Sequence, residues 1–384
     1  MELNELKELV RRGEVGAISL DTSIFDAQGL KLESGLLKQL DQFLDSSTQL
    51  IISEVVKEEV LSHLTKKIKE AQSNIDKSLK DAKDYLQVED SDIENIKNLV
   101  SGGREAQKVA SERFSQFIEA TSLEIIEAQD YLIVSELIQK YFRAQPPFSE
   151  NGKKKNEFPD AIALISLETW ANKNQTKIIV VTSDNDWKNF CKGSERLCYS
   201  DDLAGVLGLF QNADDLCRHL SQQYENGVLE DVKQAVFNAL DHKIWEMNIY
   251  PEASSSFNYE QEVTQIKVTG FEFELLESPN IIFRPVNFDD NSLIVESKLS
   301  VDVNVECSFS FYVYDYIDKD YVGIGGDSVN TQDNLEVEVL ITFAGDFKRV
   351  GAQVKVDEVE VEMKTRACID FGHIDPDWGD EDYD

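Results

Sequence analysis

Long hydrophobic runs are missing from this 384-residue chain. Its longest apolar stretches, such as IIVV at 178–181, fall far short of the roughly 20 residues that span a bilayer. The opening MELNELKELVRRGE lacks the apolar core of a signal peptide, so a cytoplasmic location without membrane contact is expected. Cysteine is scarce as well: Cys191, Cys198, Cys217, Cys307 and Cys368 are odd in number and widely scattered. The nearest pair, Cys191 and Cys198, has a spacing that fits no zinc knuckle, so a disulfide framework is excluded and the thiols read as reduced, small buried hydrophobes.

Positive charge is the third deficit. Lysine and arginine number 38 against 73 aspartates and glutamates, a formal net charge of −35, and residues 251–384 alone hold 30 acidic and 9 basic residues. Such a surface repels phosphate backbones, so contact with nucleic acid requires a local basic patch or bound cations. Apolar residues make up 41% and aromatic residues 9%, which excludes wholesale disorder and leaves room for two or three domains.

The hydrophobic pattern changes character once along the chain. Up to about residue 225 it alternates strand and helix: AISLDTS is a short buried strand, LLKQLDQFLDS an amphipathic helix, and QLIIS a second strand ending at Ser53. From Ser53, a helix N-cap, apolar residues keep helical spacing for more than 30 residues, with Glu54 in the first turn where negative charge suits the dipole. The polar segment AQPPFSENGKKKNEF is a loop, FPDAIALISLETWANKN a helix with Pro159 in its first turn, and KIIVVTSDNDWKNFC a strand, a turn and a new helix. This order predicts a three-layer α/β domain on a parallel sheet at 1–225, with a helical excursion at about 65–145. A connecting helix is expected at 226–250. From 251 to 372 the period is two, which predicts an antiparallel sandwich or barrel of about six to eight strands, with DNLE and AGDFK as turns. The acidic tail 373–384 is expected to be disordered.

The notable acids of the first domain all map to one place. Ligand sites of doubly wound sheets gather beyond the carboxyl ends of the parallel strands. Asp21 ends the first strand; Glu54, Glu58 and Glu59 follow the second; Glu157 and Asp160 open a later helix; Asp184 and Asp186 follow KIIVVTS. Carboxylates brought together repel strongly at low dielectric, so their coexistence requires a cation or raised pKa values. Hard oxygen donors suit Mg²⁺ or Mn²⁺ rather than Zn²⁺.

Taken in order, LDTS, SEVVKEEV, EFPDAIAL and VVTSDNDWKNF resemble the four acidic motifs of the PIN-domain nucleases, over roughly residues 15–210. The resemblance is to the longer, PIN-like members that carry an additional C-terminal region. It implies metal-dependent hydrolysis of a phosphodiester, usually in single-stranded RNA or flapped nucleic acid. Residue by residue, it makes Asp21, Glu59, Asp160 and Asp184 the catalytic metal ligands, with Asp186 as a further carboxylate and Thr22, Ser23, Glu58 and Glu157 in support. Glu58 is the rival of Glu59 for the second acid. The family also includes members of toxin–antitoxin and phage-defence systems, a role for which these residues carry no evidence.

Three of these acids have a plainer reading. Asp184, Asp186 and Asp160 fit helix N-caps; Asp21 does not, since no helix is expected directly after it and an unpaired carboxylate at a buried strand end is costly. Lys153, Lys154 and Lys155 are the best candidates for backbone contacts, Arg104, Lys108 and Arg113 weaker ones, and all of them also fit a solvated surface. Trp187 either stacks on a base or packs against the sheet, and His63 is a surface residue. An adhesion-type Asp-x-Ser-x-Ser metal site fails at Phe25. The opposing functional reading is a catalytically inactive PIN-like module acting through its β domain, which would bind a protein partner or self-associate.

Overall fold

The computed structural model describes residues 2–44, 46–102, 104–148, 157–276, 281–317, 319–347, 354–362 and 366–376. The chain divides into two compact units, Met1–Phe210 and Gln211–Asp384.

The first unit is built on five parallel strands: β1 (Val15–Leu20), β2 (Gln49–Ser53), β3 (Glu124–Ile126), β4 (Lys177–Val181) and β5 (Leu197–Ser200). Their order is β3-β2-β1-β4-β5. The central strands are apolar on both faces, with Ala17, Ile18, Leu20, Ile51, Ile52 and Ile178 through Val181 fully buried, as a parallel sheet covered by helices requires. Helix Phe158–Lys173 lies against the sheet and is buried nearly all round, from Ala161 through Ala171. Chain order reverses between β1 and β4, which opens a crevice at their carboxyl ends.

Ser53 caps the helix Glu54–Leu86, its Oγ accepting from the Val56 amide at 3.2 Å. Only Val56, Val60 and Leu64 of that helix are buried, so its first turns carry the packing on the sheet while the rest extends the helical excursion. The expected single helix over LLKQLDQFLDS is instead one α-turn, Gly35–Lys38, running into the 3₁₀ segment Gln39–Phe43. A segment of this length has little helical stability of its own, so the burial of Leu36, Leu37, Leu40 and Phe43 sets its path. The excursion is also interrupted: β3, three residues long, joins the sheet beside β2.

The second unit centres on an antiparallel sheet of β7 (Asn258–Phe273), β8 (Arg284–Phe288), β9 (Ser292–Asp315), β10 (Asp320–Ala344) and β11 (Lys355–Glu362), preceded by β6 (Asn248–Ser254), which pairs in parallel with β12 (Arg366–His373). DNLE is not a turn but the middle of β10. Ser300 donates to the Asn334 side-chain oxygen at 2.9 Å, and Asn334 Nδ2 donates to Asp302 at 2.9 Å, so polar residues form cross-strand pairs there. Helices Asp214–Glu225 and Glu230–Lys243 put Leu220, Val232, Val236 and Leu240 into the same core as Val301, Val303, Val305 and Phe311. Both helices therefore belong to this unit, rather than to the first domain and to a connector. Its acids do not all face outward: Glu296 is buried and paired with Arg284. No helix among the described residues is long and apolar enough to cross a membrane.

Candidate active site

Asp21 stands where β1 ends. Its amide still donates to Val181 of β4 at 3.0 Å, and helix Thr22–Ala27 begins at the next residue, with Asp21 in the N-cap position. Six residues are too few to show a period, so this helix carries no periodic signal. The Asp21 carboxylate does not cap it. Instead Oδ2 accepts from Ser23 Oγ at 2.5 Å and from Thr182 Oγ1 at 2.9 Å. The side chain is 5% exposed. Burial raises its pKa, the two hydroxyls pull it down, and the nearby charge of Asp184 pushes it up again.

Thr182, just past the end of β4 and fully buried, ties two acids together, because its Oγ1 also accepts the Asp184 amide at 3.0 Å. Asp184 is an N-cap, as its plain reading had it: Oδ1 accepts from the amides of Asp186 and Trp187 at 2.7 and 3.1 Å at the start of helix Asn185–Lys192. That leaves Oδ2 of Asp184 outside the cap.

Glu59 sits in the second turn of the helix after β2. Its Oε2 accepts from Thr22 Oγ1 at 2.6 Å. Glu58 points elsewhere and pairs with Lys57 at 3.1 Å, so of the two rivals only Glu59 reaches the segment that follows β1. Glu54 accepts the Ala128 amide at 3.1 Å, a local structural bond.

Asp160 occupies the first turn of Phe158–Lys173, whose N-cap is Glu157. It does not cap that helix with its side chain. Trp187 donates Nε1–H to Asp160 Oδ1 at 2.7 Å. The Trp187 ring is 1% exposed, which removes it as a base-stacking platform and gives it a role that sequence reasoning did not assign. The Asp160 carboxyl is raised from 3.8 to about 6, first by burial, with the charges of Asp184, Asp21 and Glu59 adding and the indole bond opposing. Asp186 is raised by burial and by the charges of Asp184 and Glu157. Glu157 is itself buried.

Five carboxylates from four separate segments thus meet at the carboxyl edge of β1 and β4, and the groups acting most strongly on Asp21, Asp160 and Asp186 include no basic side chain. An all-oxygen set of carboxylates backed by hydroxyls has the chemistry of a Mg²⁺ or Mn²⁺ site. In their present placement, no three His, Cys, Asp or Glu side chains among the described residues form a group that closes on one ion. The donor set fits a divalent cation.

Of the basic candidates, Arg113 is engaged elsewhere: its guanidinium forks onto Glu33 at 2.7 and 2.5 Å. Lys153, Lys154 and Lys155 lie outside the described residues. His63 is a surface residue, with Nδ1 2.9 Å from Asp26. Four of the five cysteines are buried, and Cys368 is exposed.

A family model described as PIN domain matches residues 18–187, the stretch that holds all of these acids. No curated protein and no solved structure matches the chain.

Proposed function

With a PIN domain at residues 18–187 as the premise, we propose that this protein is a divalent-metal-dependent nuclease that hydrolyses phosphodiester bonds of single-stranded RNA. The observation that carries the reading is the set of carboxylates around Asp160: burial first, and then the charges of Asp184, Asp21 and Glu59, raise its pKa to about 6. Uncompensated negative charge held on a buried sheet edge is unfavourable for folding and is relieved by a cation.

In this reading Asp21, Glu59, Asp160 and Asp184 hold Mg²⁺ or Mn²⁺, with Asp186 as an additional carboxylate. The cation, when bound, supplies Lewis-acid activation of water and neutralises charge on the phosphate. The chain's own groups keep the ligands in place. Ser23 and Thr182 orient Asp21, Thr22 orients Glu59, Trp187 orients Asp160, and the helix cap fixes Asp184. Orienting hydroxyls and amides behind metal-binding carboxylates are what a well-defined site needs. No side-chain nucleophile is required.

The opposing reading is a PIN domain retained for binding, with specificity carried by the second unit. Incubating the purified protein with labelled single-stranded RNA, single-stranded DNA and duplexes, in Mn²⁺, Mg²⁺ or EDTA, separates the two. Cleavage of RNA that EDTA abolishes, and that Asp21→Asn abolishes without unfolding the protein, supports the enzyme. Absence of cleavage by the wild type in all metals, or its survival in the Asp21→Asn/Asp160→Asn double variant, overturns the proposed site.

A further inference from the structure

One polar groove next to the acids is left unexplained by them. It lies between helices Glu54–Leu86 and Ala106–Thr121, has a volume of about 460 Å³, and is lined by Ser62, Lys66 and Lys69 of the first helix and Gln107 and Ser111 of the second. The two helices contact each other, Leu64, Ala106 and Ala110 on them are buried, and Gln72 Nε2 donates to the carbonyl of Arg104, just before the second helix, at 3.1 Å.

We propose that this groove binds the sugar–phosphate backbone of the strand being cut, on the stretch flanking the scissile phosphate; the inference rests on the nuclease reading above. Its position is the first argument. Residues 58, 62, 66 and 69 follow helical spacing and form one stripe, and the stripe starts beside Glu59, which reaches the acid cluster through Thr22. At 1.5 Å per residue, Lys66 and Lys69 stand about 10 and 15 Å along the helix from Glu59, within reach of a strand running away from the acids.

Charge is the second argument. In a chain with 73 acidic and 38 basic residues, several cations of these helices and their neighbours are neutralised, Lys57 by Glu58, Lys97 by Asp76 and Arg113 by Glu33, while Lys67, Lys77, Lys80 and Lys108, unpaired among the described residues, are not part of this groove's lining. Lys66 and Lys69 have no carboxylate partner among the described residues. Glu58 also lines the groove, but it is the carboxylate that Lys57 neutralises.

The third argument is donor chemistry. Two ammonium groups, the Gln107 amide and the hydroxyls of Ser62 and Ser111 all donate, as phosphate oxygens require, while the Thr65 hydroxyl is turned away onto the Leu61 carbonyl at 2.7 Å. No aromatic side chain lines the groove, so nothing there stacks on bases. The contact is therefore to the backbone and independent of sequence.

The test uses the full-length chain and fluorescent single-stranded RNA. Binding is measured by anisotropy in the Asp21→Asn background, across a salt series, with K66A/K69A and K66R/K69R added. Cleavage by wild-type protein with Mn²⁺ is measured in parallel. The expected result is a severalfold weaker Kd for K66A/K69A on every RNA sequence, a salt slope smaller by about 1.4 for two lost phosphate contacts, and recovery of both in K66R/K69R. Loss of packing would not reduce the salt slope. An unchanged Kd and slope in K66A/K69A overturns the groove even where wild-type protein cleaves RNA. If the lysine variants weaken binding but the wild type does not cleave, the groove stands and the nuclease reading falls. Absence of any RNA binding overturns both.

Discussion

The indole of Trp187 donates to Asp160 across 27 residues of sequence, 2.7 Å from Nε1 to Oδ1, from inside the core. A donor to the ionised carboxylate favours that form, so this bond holds the Asp160 pKa below where burial alone would put it. Trp187→Phe keeps an aromatic ring and deletes the donor. The carboxyl should then ionise at a higher pH than about 6, and the acid limb of the pH profile for metal-dependent cleavage should move upward. Stability should fall by about 1–3 kcal/mol from the lost bond and the smaller ring, read from urea midpoints. A stability loss with an unmoved acid limb would reduce the indole to a space-filling role.

Asp160 also makes a prediction that needs no substrate. Its carboxyl ionises at about 6 in the folded protein against an ordinary 3.8. Between those values the folded state binds the extra proton, so stability falls as pH rises through that window and stays lower above it. The difference is at most about 3 kcal/mol, at roughly 1.4 kcal/mol per unit. Asp160→Asn removes the ionisation while leaving an acceptor for the indole. The variant should be more stable than wild type at pH 8 without metal and equal to it below pH 3.8, in paired urea melts. Cleavage should drop on the order of a hundredfold or more. A variant less stable than wild type at pH 8 would mean that the carboxylate is better compensated than its surroundings indicate.

How far the sequence foretold this site depends on the range of the interaction. Asp21 and Asp184 follow short apolar strands, and parallel-strand ends converge on one edge by topology, so their meeting was legible from periodicity. Glu59 over Glu58 rested on the resemblance alone, and the bond from Thr22 separates them physically. The Trp187–Asp160 and Thr182–Asp21 bonds were not legible, because a hydrophobic period reports which face a residue takes and not which partner it meets. Short elements failed for the same kind of reason: β3 is Glu-Ile-Ile between helices, and its strand conformation comes from pairing with β2. In the second unit, Asp333 and Asn334 carry turn chemistry, yet the ladder with β9 runs straight through them, so tertiary pairing outweighs local preference there.

The hydroxyl of Thr22 gives the most direct handle on Glu59. Thr22 is buried, and its Oγ1 makes the 2.6 Å bond that holds Glu59 toward the acids. Thr22→Val conserves shape and deletes the donor, leaving Glu59 free to swing toward solvent. Losing an outer partner of a metal-binding carboxylate typically costs 10–100-fold in metal affinity. Calorimetric titration with Mn²⁺ should therefore show a weaker Kd by about that factor, with cleavage restored at high Mn²⁺. An unchanged affinity would remove Glu59 from the ligand set.

Thiol chemistry tests the packing of both units independently of function. Cys191, Cys198, Cys217 and Cys307 are buried and Cys368 is exposed, all five free. Burial pushes the thiols of Cys191 and Cys217 up to about 12, so neither offers thiolate near neutrality, and the thiolate is the reactive form. Native protein treated with an aromatic disulfide reagent at pH 8 should release one fast equivalent, which Cys368→Ser abolishes. The other thiols should react only after denaturant is added. Cys191 lies near the end of the helix Asn185–Lys192 that begins at Asp184 and carries Trp187, so a second fast equivalent that Cys191→Ser removed would mean that this helix opens in the native state. Opening of that kind would loosen Asp184 and Asp160 together, and the acid cluster would lose two of its members at once.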